Sequence, residues 1–333
     1  MKKMNISIIL RSLALAVPML CASCGGGSAP VAEPAPYESP APEFCADSAY
    51  SYVAAQCAFG PRVMNSEAHD LCGDYIAAKF ESFGAEVSNQ YATLYLYDGT
   101  PVKARNIIAS YNPGAEKRVI VCSHWDSRPW ADHDRNPENH RTPIDGANDG
   151  ASGVGAMLEM ARLMQQHPLQ VGVDFICFDA EDSGLPAWET DREESDTTWC
   201  LGSRHWARVA KDSGYKARYG ILLDMVGGNN TVFYKEGFSM NYAPQVVDKV
   251  WAAAYRIGNN EHFEGGMGGY ITDDHLPVCE IARIPCIDLI GSDRISHGFC
   301  TTWHTVNDNI RNISKKTLKA AGQTVLEVLY CEK

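Results

Sequence analysis

Six residues of the 333-residue chain have the types and the setting to hold a metal ion and move a proton: His124, Asp149, Glu181, Asp182, Asp224 and His304. Histidine and carboxylates without cysteine form the ligand set of a catalytic zinc site with an open position, where the ion acts as a Lewis acid or activates water. Singly, each has an ordinary explanation. Asp149, in Gly146-Ala147-Asn148-Asp149-Gly150, could cap a helix, His124 could be a satisfied core histidine, and Asp224 could be a strand-end surface charge. Their recurrence beside apolar runs argues against coincidence, because buried carboxylates are costly unless a cation compensates them. Glu181 and Asp182 are adjacent, so on an extended chain they point in opposite directions. One can bind metal while the other handles protons, and the residues alone leave open which does which.

Strands must deliver these groups. Residues 118–122, 171–178, 221–225 and 285–290 are continuous apolar, β-branched runs of the kind buried on both faces of a sheet. Between them, Val154, Met157, Leu158, Ala161 and Met164 recur at helical spacing, as do Val246, Val250 and Ala253, and Leu318, Ala321, Val325 and Leu329. The alternation predicts an α/β fold, with a mixed, mostly parallel central sheet and helices on both faces. In such sheets ligands bind beyond the carboxyl ends of the strands. His124-Trp125-Asp126, Asp179-Ala180-Glu181-Asp182 and Asp224 stand there. The polar segment 127–148 is longer than a structural connection needs and should border the site.

Composition removes other classes. A formal net charge of −12, with no Lys/Arg-rich run, leaves nothing to neutralise successive phosphates, so nucleic acid is not an expected partner. No GxxxxGK phosphate loop and no GxSxG nucleophile elbow follows a strand. Among the ten cysteines after Cys24 no pair has CxxC spacing, and Cys122, Cys177 and Cys286 sit in apolar runs as small buried hydrophobes; other cysteines of an exported protein are candidates for disulfides.

The ordered stretches Cys122-Ser123-His124-Trp125-Asp126-Ser127, Asp149, Phe178-Asp179-Ala180-Glu181-Asp182, Leu222-Leu223-Asp224, Ile271-Thr272-Asp273-Asp274-His275-Leu276-Pro277 and Trp303-His304-Thr305-Val306-Asn307-Asp308-Asn309 resemble animal-type glutaminyl cyclases, relatives of the di-zinc aminopeptidases. The resemblance implies the zinc aminopeptidase-like fold and conversion of N-terminal glutamine to pyroglutamate, with peptides or proteins bearing N-terminal Gln as partners. It makes Asp149, Asp182 and His304 the zinc ligands and Glu181 the proton-transfer residue, with Asp224 and Asp273 in the acidic network beside it. Trp303 and Phe299 would wall the substrate pocket, and Trp188 is a looser match because the loop after Asp182 differs by one residue. The animal enzymes carry Glu where this chain has Asp182, which leaves Asp179 as the alternative ligand. One zinc ion is expected, with a second position at His124 and Asp224 held in common with the aminopeptidases. An exported di-zinc aminopeptidase is accordingly the second reading.

The amino terminus reads as an export signal. Lys2, Lys3 and Arg11 flank an apolar run from Ile6 to Leu20, and Ala22-Ser23-Cys24-Gly25 resembles a bacterial lipoprotein box. The expected division is a signal peptide with that box over 1–24, a Gly/Ser/Ala/Pro-rich tether over 25–43 and one catalytic domain over 44–333. Cys24 would carry the lipid, with the protein exported and periplasmic.

Overall fold

Period-two alternation of buried side chains builds the sheet. In the computed structural model, which describes residues 37–191 and 196–333, strand β3 (Arg118–His124) sends Val119 and Val121 into one apolar cluster and Ile120 and Cys122 into another. Strands β4 (Gly172–Phe178), β5 (Gly220–Asp224) and β8 (Cys286–Asp293) divide their side chains in the same way, as Phe175 against Ile176, Leu223 against Leu222, and Ile287 against Cys286 show. With both faces apolar, these four strands can only be interior. They pair in parallel in the order β4-β3-β5-β8.

Antiparallel pairing flanks this parallel centre. On one side lies β2 (Pro101–Tyr111), then β1 (Glu86–Tyr95); on the other lies β6 (Thr231–Lys235), with β7 (Phe263–Met267) parallel to β6 at the edge. The eight-stranded sheet is therefore mixed around a parallel core, as expected. The four flanking strands escape the apolar-run criterion. β1 has no fully buried residue, and β6 and β7 are five residues long.

Helices α1 (Ala46–Cys57), α2 (Glu67–Ser82), α3 (Ala151–Gln166), α6 (Pro244–Arg256) and α8 (Lys315–Tyr330) contribute to the larger cluster. Helices α4 (Leu201–Ser213) and α7 (His275–Glu280) cover the smaller one on the opposite face, and short α5 (Gly237–Tyr242) precedes α6. Gly150, at φ 96°, opens α3; a Cβ there would lie 2.7 Å from the Asp126 carbonyl and 3.0 Å from the His124 ring. Only glycine lets Asp149 and the start of α3 sit against the end of β3.

The signal segment with its Cys24 box, and the tether as far as residue 36, lie outside the described residues. Tyr37 and Ser39, in the stretch that composition assigns to the tether, donate hydrogen bonds to the buried Glu327 carboxylate of α8. All ten cysteines of the described residues are free, and Cys122, Cys177 and Cys286 are buried.

Candidate metal centre and active-site cavity

Three strand ends and three loops converge at a cavity of about 690 Å³. His124 ends β3, Asp224 ends β5, and Glu181 and Asp182 follow β4; Asp149 precedes α3, Asp273 precedes α7, and His304 lies between β8 and α8. All seven are buried. Three non-glycine residues beside them have left-handed backbones: Ala180 (φ 53°), Cys200 (φ 58°) and Met225 (φ 49°), as does His304 itself (φ 53°). Strain of this kind persists where surrounding structure enforces it, and it gathers at functional sites.

Asp149 sits at the centre. Its Oδ1 is 3.0 Å from His124 Nε2, and its Oδ2 is 3.5 Å from His304 Nε2. His304 Nε2 also lies 3.1 Å from Asp182 Oδ1, and His124 Nε2 lies 3.3 Å from Asp224 Oδ1. Two overlapping groups of ligand atoms result, Asp149–Asp182–His304 and His124–Asp149–Asp224, each within 4.8 Å. Oδ2 of Asp149 and Oδ2 of Asp182 are buried without a hydrogen-bond partner. Burial, with Arg128, His133 and His124 nearby, holds the His304 imidazole well below its usual range, so it presents a neutral nitrogen. Two orphaned carboxylates and a neutral imidazole fit a divalent cation.

Glu181 stands in the same buried acidic cluster. Burial, opposed by His124 and reinforced by Asp182 and Asp273, pushes its carboxyl well above the usual range. Burial and Asp149 do the same to Asp182; burial, with Asp224 and Asp274, does so to Asp273. Burial also raises Asp224, against its bond to His124. His124 moves the other way from burial alone, because Asp126, Asp149 and Asp224 hold its ring well above the normal value. Among the described residues Glu181 makes no ion pair, and its side-chain hydrogen-bond partner is the Cys200 thiol at 3.4 Å.

Asp179, the alternative ligand, faces away. Its carboxylate accepts from the Arg105 amide at 2.6 Å and the Ala180 amide at 2.9 Å, and lies 2.9 Å from His69 Nε2, whose ring stacks on Trp125. Asp126 braces the strand end instead, accepting the amides of Glu181 and Asp182 at 3.1 and 3.2 Å. This fixes the two neighbouring acids in their divergent directions.

Trp303 and Phe299 line the cavity; Trp303 stacks on His304 at 3.7 Å between ring centroids, with Phe299 tilted against it at 4.6 Å. Trp188 is not among the lining residues. It packs edge-on against Trp130 under the Arg141 guanidinium, and Trp199 occupies the cavity wall, parallel to the His304 ring.

Sequence reasoning also missed Arg128 and Asp132. Buried Arg128 donates Nη1 to the Asp182 carbonyl at 3.0 Å and two N–H groups to Asp132 at 2.9 and 2.6 Å. Asp132, which Arg128 holds as a carboxylate against the effect of burial, faces His304 Nδ1 at 3.6 Å. A carboxylate behind a ligand imidazole directs its other nitrogen to the metal. Nothing in the spacing marks either residue, because both lie in the long polar segment and act only through folding.

Peptidase family M28 matches residues 106–329, which include every residue of the centre. A glutaminyl cyclase from Bacteroides thetaiotaomicron, solved with bound N-acetylhistamine, is 55% identical, with a TM-score of 0.86 over 88% of this chain and all of that one. A Zn-dependent exopeptidase from Parabacteroides distasonis is 52% identical, with a TM-score of 0.85 over 88% of this chain and all of that one. Aminopeptidase YwaD of Bacillus subtilis is 29% identical over 77% of this chain, which spans about half of that protein's length. The chain belongs to peptidase family M28, and its fold and sequence are similar to those of bacterial glutaminyl cyclases.

Proposed function

We propose that the protein is a glutaminyl-peptide cyclotransferase, closing the N-terminal glutamine of peptides or proteins into pyroglutamate with release of ammonia. One observation carries the reading: Glu181, shifted toward neutrality, shares a cavity with Asp149, Asp182 and His304 in a chain 55% identical to the full length of a glutaminyl cyclase. We assign one zinc ion to Asp149, Asp182 and His304; when bound it supplies a Lewis acid to the glutamine γ-carbonyl.

The chain's own groups do the rest. Glu181 takes a proton from the α-amine as that nitrogen bonds to the side-chain carboxamide carbon, Cδ, then gives it to the amide nitrogen as the Cδ–N bond breaks and ammonia leaves. A carboxyl raised by burial is suited to both tasks near neutral pH. Asp273, with Asp182 and Asp274, keeps Glu181's proton affinity high, and Asp224 does the same for Asp273. The nucleophile is tethered within the substrate, so the site must orient it and exclude water, which is the work of Trp303 and Phe299. Trp199 takes the wall position that the resemblance assigns to Trp188.

An aminopeptidase is the second reading, favoured by one feature. Asp149 faces His124 with one oxygen and His304 with the other, as a carboxylate shared by two metals would, and two-metal sites serve peptide hydrolysis. Incubating the protein with one peptide beginning in Gln and another beginning in Leu, with metal analysis alongside, separates the two. Loss of one ammonia from the Gln peptide alone supports the cyclotransferase; release of the first residue replaces it with the aminopeptidase.

Export, lipidation at Cys24 and a periplasmic location belong to the same proposal. Incorporation of labelled fatty acid in cells, lost in Cys24→Ser, and protease resistance in intact cells test them.

A further inference from the structure

We infer that Cys200 is a positioning residue for Glu181, its thiol donating a hydrogen bond that fixes the carboxylate's orientation for proton transfer. The inference rests on the assignment of proton transfer to Glu181 and adds a residue that neither the motifs nor the cavity lining contains.

Three features of the structure converge on it. Cys200 Sγ lies 3.4 Å from Glu181 Oε1, a normal distance for a sulfur donor, and Cys200 is fully buried. Burial and the Glu181 charge push the thiol well above its usual range, so it stays protonated and able to donate.

The backbone at Cys200 is left-handed, at φ 58° and ψ 36°, where glycine or asparagine is at ease and a side chain with a Cβ is strained. Cys200 is also the N-cap of α4, a position where Ser, Thr, Asp or Asn would satisfy the helix's free amides, yet its side chain caps nothing. A residue poorly suited to its backbone and idle as a cap, with its one side-chain bond to Glu181, is selected for that bond.

Rigid backbone pairing holds the thiol in place. The amides of Cys200, Leu201 and Gly202 donate in succession to the carbonyls of Glu181, Ala180 and Asp179 at 3.2, 3.1 and 3.0 Å. At Gly202 a Cβ would come within 2.1 Å of the Asp179 carbonyl, so glycine permits this approach. The segment that opens α4 is thus laced to the segment carrying Glu181, and the thiol cannot drift from the carboxylate. A carboxylate of Asp273 completes the group, its oxygen within 4.8 Å of both others.

The test compares Cys200→Ala, Cys200→Gly and Cys200→Ser with the parent by kcat, KM, zinc content and thermal midpoint. Ala and Gly should each lower kcat about tenfold, the worth of one hydrogen bond, with KM within about twofold and zinc unchanged. Gly should melt higher than Ala, because both lose the buried thiol and only Gly relieves the left-handed backbone, so stability and turnover do not move together. Ser, which keeps a donor, should recover most of kcat. Turnover within about twofold of the parent in both Ala and Gly would overturn the inference. So would a loss that tracks lost zinc or folded protein, or a Ser variant as slow as Ala. Each ratio is taken on whichever peptide the parent turns over, Gln- or Leu-initiated, since Glu181 carries the proton in either reaction. Failure of the cyclotransferase reading then shows in the parent, and failure of this inference shows only in the ratios.

Discussion

Strand β4 places buried carboxylates at both of its ends, and the two ends are built to different rules. Near its start, Asp174 takes hydrogen bonds from Arg118 Nε at 2.7 Å, from Arg118 Nη2, from Ser110 and from Tyr215. Beyond its carboxyl end, Asp182 keeps one buried oxygen with no partner and shares His304 with Asp149, while the Glu181 carboxyl takes its hydrogen bond from a thiol. The first arrangement is complete within the protein. The second becomes complete only with something added, and a buried acid left open at a strand end is the mark of a cation or a proton in use. Asp179, three residues before Asp182, belongs with the first kind despite its place, since His69 and two amides satisfy it.

Substitutions at the open end should therefore cost chemistry and those at the closed end should cost stability. The largest effect is expected from His304→Ala, which should leave the protein folded but strip the metal through dialysis and reduce turnover to background; full zinc with full activity would remove His304 from the ligand set. Glu181→Gln should keep zinc and lose about 10²- to 10⁴-fold in turnover, measured on the Gln-initiated peptide. Asp132→Asn should weaken zinc about 10- to 100-fold by chelator competition, because it removes the carboxylate that faces the His304 imidazole from behind. At the closed end, Asp174→Asn should lower stability by about 3 kcal/mol in denaturant titration, while kcat of the folded fraction stays put. If Asp174→Asn instead lowers zinc or kcat, the contrast between the two ends is wrong.

The smallest effect sharpens the same contrast through pH. Glu181, Asp182 and Asp273 have folded pKa values raised well above their unfolded ones, so each binds its proton earlier in the folded state. Their stabilisation grows as pH falls through the folded values toward the unfolded ones. His124, also raised, adds stability in the same direction, and His304, lowered, opposes it only below the ordinary imidazole range. Between pH 8 and about 6.5 the metal-free protein should melt at rising temperature as pH falls, and zinc should flatten the dependence by taking the place of the protons. A metal-free protein whose melting point is flat over that window would mean that these carboxylates are neutral or compensated already.

Much of this contrast is legible in the order of the amino acids. Continuous apolar runs mark β3, β4, β5 and β8, because strands buried on both faces must be apolar throughout. The acids and histidines following those runs mark the site, because the ends of parallel strands converge. The flanking strands are not legible, since an edge such as β1 exposes one face and pairs through backbone that any side chain allows.

What the sequence determined by itself is the parallel core, the set of candidate ligands and the identity of Glu181 and Asp182 as a divided pair. Tertiary structure decided which acid stays open. Asp179 and Asp182 are the same residue type three positions apart, and only the arrival of His69 from α2 and of His304 from beyond β8 separates them. It decided likewise that Trp199 rather than Trp188 walls the cavity, and that Arg128, Asp132 and Cys200 stand behind the groups that react. Chemistry is written in residue types, but satisfaction of a buried charge depends on partners brought from distant parts of the chain, and spacing along the chain carries no record of them.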